Sequence, residues 1–246
     1  MSAVLQFRNQ AAPIVDREKF AAQGFITAKG VIDCGLLESL LAEMDELFAI
    51  QLRRLGLSHT SGGSPDAFHL NAKRLLAADI PSFVAAATLC ERLPATRELM
   101  SSDAILRIAR ELGLSVPVFA APVKSHILSD GLKIPGCPNR SPAHQDAEGN
   151  PGSVDGITLW APLTAVSLRT HPLEVAPRSH LSGLIDAGQV EEDAFVPLAM
   201  QPGDVVVLSR FLVHRTGERG DGSLRVAISS QLNNAADPAF AEGLFA

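Results

Sequence analysis

Between Asp33 and Leu55, apolar residues recur at Leu37, Leu40, Leu41, Met44, Leu47, Phe48, Leu52 and Leu55. This is the spacing of one face of an α-helix and predicts an amphipathic helix over the stretch. Asp33 suits its N-cap and Gly56 its stop. Glu38, Glu43, Asp45 and Glu46 stand towards its start and Arg53 and Arg54 near its end, the order that the helix dipole favours. Shorter helical patterns follow at 67–78, 81–92, 95–100 and 103–112, punctuated by Pro81, Pro94 and Gly113. After Gly113 the period changes. The runs 116–128, 156–163, 173–175, 195–199, 204–208, 211–213 and 224–231 are short, rich in Val, Ile and Leu, and bounded by Gly, Pro, Asn or Asp, which predicts strands. Serial strands without intervening helices predict an antiparallel sandwich or barrel. Nothing reads as a linker, repeat or low-complexity tract. One domain over 1–246 is therefore expected, mostly helical over 1–113 and β-rich over 114–232, with the helices buttressing the sheet.

Composition narrows the classes. The 246 residues are 46% hydrophobic and 20% charged, a globular rather than disordered balance. With 21 basic and 27 acidic residues the net charge is −6, and no basic block offers itself to a phosphate backbone, so nucleic acid is not an expected partner. No apolar run approaches the ~18 residues of a membrane span, and the start lacks a signal-peptide pattern; a cytoplasmic protein without a membrane partner is expected. Cys34, Cys90 and Cys137 are far apart and form no C-x-x-C pair, which argues against a disulfide framework or a zinc knuckle. The glycine-serine turn at 61–64 lacks the lysine of a phosphate-binding loop. There are 11 Phe, one Trp (Trp160) and no Tyr, so any site must work without a phenol.

The stretch SPAHQD, 141–146, places His144 and Asp146 two apart, a spacing that on a strand presents both side chains on one face. An H-x-D pair alone is common by chance. His214, far downstream at the end of an apolar run, is in a suitable context for a third ligand. Two His and a carboxylate with open positions form the facial triad of non-haem Fe(II) oxygenases. Arg225, eleven residues beyond His214, shares with Ala227 and Ser229 the face opposite Leu224, Val226 and Ile228. Pointing into a barrel, it is costly unless it meets an anion; at an edge or in a core ion pair it would be structural. Lys124 and His126 share a face of the first long strand, where inward cations would hold an anionic substrate. His69 and Asn71 could face a substrate, but His69 reads first as a helix-surface or satisfied core histidine.

Several ordered motifs carry a resemblance. SPAHQD, WAPLTAV (160–166), PLEVAPRSH (172–180), PGDVVVLSRFLVH (202–214), Arg225 and the opening run FAAQGFITAKGVIDCGLLESLLAEMDEL together resemble the phytanoyl-CoA dioxygenase family of Fe(II)/2-oxoglutarate oxygenases. The resemblance spans nearly the whole chain and implies a double-stranded β-helix, or jelly roll, with N-terminal helices on one side. It implies His144, Asp146 and His214 as the catalytic iron ligands and Arg225 as the partner of the distal carboxylate of 2-oxoglutarate. Ser229 and Thr158 become candidates for hydrogen bonds near that cosubstrate. The implied reaction consumes O2 and 2-oxoglutarate, releases succinate and CO2, and hydroxylates an aliphatic carbon of a small molecule. Family substrates include acyl-CoA thioesters, amino acids and intermediates of secondary metabolism. Arg107, Arg110, Lys124, Lys133 and Arg140 are too scattered to suggest a CoA cradle, and a smaller molecule is favoured. Asp146 disfavours halogenation, because related halogenases have a small residue there.

The chain also departs from the family. Thr170 and His171 precede Pro172 where family members often read Asn-Gly, so this turn differs. His171 reads as an exposed loop histidine or, with Lys124, His126 and Trp160, as a substrate contact; His180 reads as structural. The alternatives to an oxygenase are a metal-dependent isomerase or hydrolase using the same His-Asp-His set without 2-oxoglutarate, and a catalytically silent jelly-roll binding module.

Overall fold

The computed structural model describes residues 14–136, 140–148, 152–238 and 240; Cys137 lies outside them. A short helix α1 (Arg17–Gln23) and strand β1 (Phe25–Ala28) precede a run of helices: α2 (Cys34–Arg54), α3 (Pro65–Ala78), α4 (Ile80–Cys90), α5 (Pro94–Met100) and α6 (Asp103–Glu111). The strands β2 (Pro117–Phe119), β3 (Lys124–Leu128), β4 (Ile157–Pro162), β5 (Leu173–Val175), β6 (Val196–Leu198), β7 (Val205–Ser209), β8 (His214–Thr216) and β9 (Arg225–Asn234) follow. A six-stranded sheet runs β1-β7-β4-β9-β2, with β3 also on β9, and a three-stranded sheet runs β6-β5-β8. Every pairing within them is antiparallel. This is the jelly-roll type of architecture, mostly antiparallel sheet with flanking helices.

The helices form where the caps say they should. The Asp33 carboxylate accepts from the amides of Gly35 and Leu36 at the start of α2, Ser64 caps α3 ahead of Pro65, and Asp79 caps α4. The apolar stripe of α2 is buried, and Phe48 meets the rings of Phe68 and Phe83 edge-on at 4.9 and 5.5 Å. Asp45 is not one of the solvated charges of this helix. It is buried, its pKa raised by desolvation, and it accepts from Asn71 Nδ2 at 2.7 Å. Asn71 also closes both backbone groups of Thr60, at 2.8 and 2.9 Å, and so ties α3 to α2 and the loop between them. His69 pairs with the Ser129 hydroxyl at 2.9 Å. Neither faces the cavity described below.

Strand β4 runs between β7 and β9 and is buried on both faces, as its near-continuous apolar sequence requires. Its alternation sorts the two cores. Ile157, Leu159 and Ala161 join Val226, Ile228, Val205 and Val207 against the helices, whereas Trp160 joins Ala227, Val206 and Leu208 between the two sheets.

Three differences from the sequence pattern have local causes. The run 116–128 is two strands on the same edge of β9, because Pro122 cannot donate to the ladder and the chain bends between Phe119 and Lys124. The apolar run 211–213 is a turn closed by the Leu212 amide on the Ser209 carbonyl at 2.9 Å, and the strand begins at His214. Strand β1, four residues long, pairs with β7 only because the tertiary fold brings an edge to it.

Replacing Asn71 by Ala removes the side-chain donor of the buried Asp45 carboxylate and the partner of two backbone groups of Thr60. Loss of such buried bonds costs about 2–4 kcal/mol. Urea unfolding of Asn71→Ala is expected to show a lower midpoint by that amount at unchanged m; a loss within experimental error would show that the tie is dispensable.

Candidate metal centre

His144 and His214 meet in an isolated antiparallel bridge, their amides and carbonyls exchanged at 3.1 and 3.0 Å, and their rings stand 4.3 Å apart. Asp146 lies in the turn that follows, so the pair converges through a turn rather than through strand alternation. Its carboxylate oxygens approach His144 Nε2 at 3.9 Å and His214 Nε2 at 3.8 Å. One ligand atom from each of the three residues falls within 4.8 Å of the others. Each imidazole is aimed by the backbone. His144 Nδ1 bonds the Pro142 carbonyl at 2.8 Å and His214 Nδ1 the Leu212 carbonyl at 3.0 Å, in each case two residues back. A carbonyl only accepts, so in the neutral rings the proton sits on Nδ1 and the Nε2 lone pair faces Asp146. Burial of His214 pushes its pKa down, with the Asp146 charge opposing, which keeps that lone pair available. Thr158 Oγ1 donates to Asp146 Oδ2 at 2.5 Å and fixes the carboxylate.

A cavity of about 180 Å³ connects this cluster with Arg225. The Arg225 side chain is buried, 3% exposed, and pairs with no carboxylate among the described residues. Its Nη1 donates to the His171 carbonyl, and its Nε is buried without an acceptor. Its carbon Cζ lies 5.6 Å from the Trp160 ring centre. Burial pushes its pKa down to about 10, the mark of a cation removed from water without a counter-charge. Such a donor set is suited to a carboxylate, and none of the described residues supplies one.

Of the other residues singled out from the sequence, Thr158, Trp160, Ser229, Lys124 and His126 line the cavity. Two of these are not inward cations. Lys124 is mostly exposed and reaches Glu91 of α4 at 3.6 Å. His126 lies against the Ser229 hydroxyl at 2.9 Å, and desolvation together with the Arg225 charge pushes its pKa down to about 3, so it is neutral. His171 is neither an exposed loop residue nor part of the cavity lining: it is 5% exposed, with its ring between Asp130 and the Gly217 carbonyl. His180 bonds the Ala21 carbonyl at 3.0 Å, and a side chain at Gly24 would collide with its ring.

Three residues near the site went unnoticed in the sequence. Gln231 lines the cavity opposite Thr158; the two-residue period from Arg225 along β9 points to it. Arg215 lines the mouth, neutralised by Glu174 at 2.7 Å and Glu192 at 2.6 Å. Gln145, between the two H-x-D side chains, faces away and is 1% exposed. Its amide donates to the carbonyls of Phe211 and Gly183 at 2.5 and 2.8 Å and accepts from the Ile185 amide at 2.8 Å. No pattern along the chain announces that role.

The sequence matches the profile of the phytanoyl-CoA dioxygenase family over residues 20–227. The chain belongs to this family. No curated protein matches it at the level of whole sequences. Among solved structures, it is similar to the non-heme alpha-ketoglutarate-dependent epimerase SnoN from nogalamycin biosynthesis, at TM-score 0.62 and 19% identity over 89% of this chain and 82% of that one. The carbocyclase SnoK from the same biosynthesis, also alpha-ketoglutarate-dependent, gives 0.61 and 18% over 89% and 83%. EctD from S. alaskensis with bound Fe gives 0.61 and 15% over 93% and 80%. At these identities the likeness is one of fold.

Gln145→Leu leaves three backbone groups of the 183–185 and 211 segments unpaired in a dry environment. The expected loss is about 2–3 kcal/mol, read from chemical unfolding. Faster amide exchange at Ile185 is expected alongside it; unchanged protection there would contradict the anchoring role.

Proposed function

We propose that the chain is a non-haem Fe(II)- and 2-oxoglutarate-dependent oxygenase that uses O2 to hydroxylate an aliphatic carbon of a small metabolite or biosynthetic intermediate, with release of succinate and CO2. The observation that carries this reading is Arg225. A buried guanidinium without a carboxylate partner among the described residues opens into the same cavity as the His-Asp-His cluster. An isomerase or hydrolase working without a dicarboxylate has no use for such a charge.

In this reading the Nε2 atoms of His144 and His214 and the Asp146 carboxylate would hold the iron. Bound iron and 2-oxoglutarate would supply the activation of O2. The protein's own contributions are positional. The Pro142 and Leu212 carbonyls aim the imidazoles, Thr158 aims the carboxylate, and Arg225 receives the distal carboxylate of the cosubstrate. Trp160 and neutral His126 wall the space between them and exclude water, which strengthens the pairing with Arg225.

The cavity also bears on the substrate. Pockets that enclose drug-sized ligands run from roughly 300 Å³ upward, and this one, at about 180 Å³, would leave little room beyond a five-carbon cosubstrate. The substrate would then approach at the mouth beside Ser141, Arg215 and Thr216. A CoA thioester is disfavoured, because three of the five scattered basic residues are already engaged: Arg107 with Glu111, Lys124 with Glu91 and Arg140 with Glu218.

The direct test is O2-dependent formation of succinate from 2-oxoglutarate by iron-loaded protein, with products of a substrate panel identified so that hydroxylation is separated from epimerisation or ring closure. Asp146→Ala is expected to abolish succinate formation; turnover equal to wild type would refute the ligand assignment. Arg225→Gln is expected to raise the KM for 2-oxoglutarate at least tenfold, the size of one charge-assisted pair. Iron binding should change little in that variant, since Arg225 is not among the ligands.

A further inference from the structure

Arg225 must be aimed as well as present, and the structure shows what holds it. Its described protein acceptor is the carbonyl of His171, a residue whose backbone is unusual: φ is +49°, in the left-handed region that side chains other than glycine occupy at a cost. Three bonds hold it there. The His171 amide donates to the Arg219 carbonyl at 2.7 Å, Nδ1 lies 3.2 Å from the Gly217 carbonyl, and Nε2 lies 3.1 Å from Asp130 Oδ1. The next residue continues the clasp, with the Gly217 amide on the Pro172 carbonyl at 2.7 Å. The ring is also boxed in, since a side chain at Gly220 would strike both His171 Nε2 and the Asp130 carboxylate.

These contacts join three parts of the chain. Asp130 follows β3, His171 precedes β5, and Gly217 and Arg219 belong to the loop that leads from the strand of His214 to the strand of Arg225. An alanine at position 171 would have no ring to hold a positive φ, and its carbonyl would be free to swing away from the guanidinium. We propose that His171 is a positioning residue for the dicarboxylate: through its carbonyl it sets the direction of Arg225, and its imidazole, anchored by Asp130 and Gly217, holds that carbonyl in place. The role depends on the reading of Arg225 given above and adds to it a residue that touches neither iron nor cosubstrate.

The test is calorimetric binding to iron-loaded protein under anaerobic conditions, with two probes. 2-Oxoglutarate has a distal carboxylate for Arg225, whereas oxalate chelates iron but has none. His171→Gly keeps the backbone conformation accessible and removes the ring anchors. It is expected to weaken 2-oxoglutarate about tenfold, one charge-assisted hydrogen bond's worth, and to leave oxalate within twofold of wild type. Asp130→Ala removes one anchor from a half-exposed position and is expected to weaken 2-oxoglutarate in the same selective way by roughly threefold. It decides the matter if His171→Gly does not fold. Unchanged 2-oxoglutarate binding in the folded variants, or an equal loss for both probes, overturns the proposal. Wild-type protein that binds oxalate but not 2-oxoglutarate overturns the reading of Arg225 itself, and the positioning role with it.

Discussion

The site depends on the two-residue period of the central strands β4 and β9, which forces adjacent residues into opposite environments. Leu159 and Val226 are sealed against the helices, while Thr158, Trp160 and Arg225 face the cavity between the sheets. The apolar face is what makes the polar face possible. The cost of burying a guanidinium without a counter-charge is several kcal/mol, and it is offset by the dense core of Leu, Ile and Val packed on α2 to α5 behind the same strands. A slip of register by one residue would turn Arg225 into that core and Val226 into the cavity.

Around the His-Asp-His cluster the backbone does most of the orienting. Both histidines bond a carbonyl two residues back, so their geometry is set by local chain conformation and not by a distant side chain. Their mutual approach is non-local: the bridge between His144 and His214 holds together segments separated by the whole of the second sheet's first two strands. Gln145 reinforces it by clasping the 183–185 segment from behind. Arg215, next to His214, pins the same excursion at Glu192 and stacks on Phe195 at 3.9 Å. The loops beside the cavity are thus fastened to the segments that carry His144 and His214.

Much of this was legible along the chain because it rests on local rules. The stripe and caps of α2 follow from side-chain period and from Asp33, the Arg225 face follows from alternation, and the ordered motifs pointed to His144, Asp146 and His214 as a set. The misreadings share one cause. His171 and the H-x-D segment were assigned by local pattern, and in each case a partner remote in sequence decided otherwise: Asp130 and Arg225 for His171, and the His214 backbone for His144. Lys124 and His126 sit on the expected face, yet Lys124 turns outward to Glu91, and desolvation beside Arg225 leaves His126 neutral.

The sequence by itself determined most of the element types, the jelly-roll class and the family, and it singled out His144, Asp146, His214 and Arg225, which the fold brings to one cavity. Periodicity, capping and residue chemistry are properties of short stretches and survive without the fold. Only the tertiary structure decided that Arg225 has no carboxylate partner among the described residues, that His126 is neutral, that Thr158 braces Asp146 while Gln145 fastens the segments behind it, and that the His171 carbonyl accepts from Arg225. Burial and hydrogen bonding between distant segments exist only once the sheets have closed, and they aim the side chains that face the cavity.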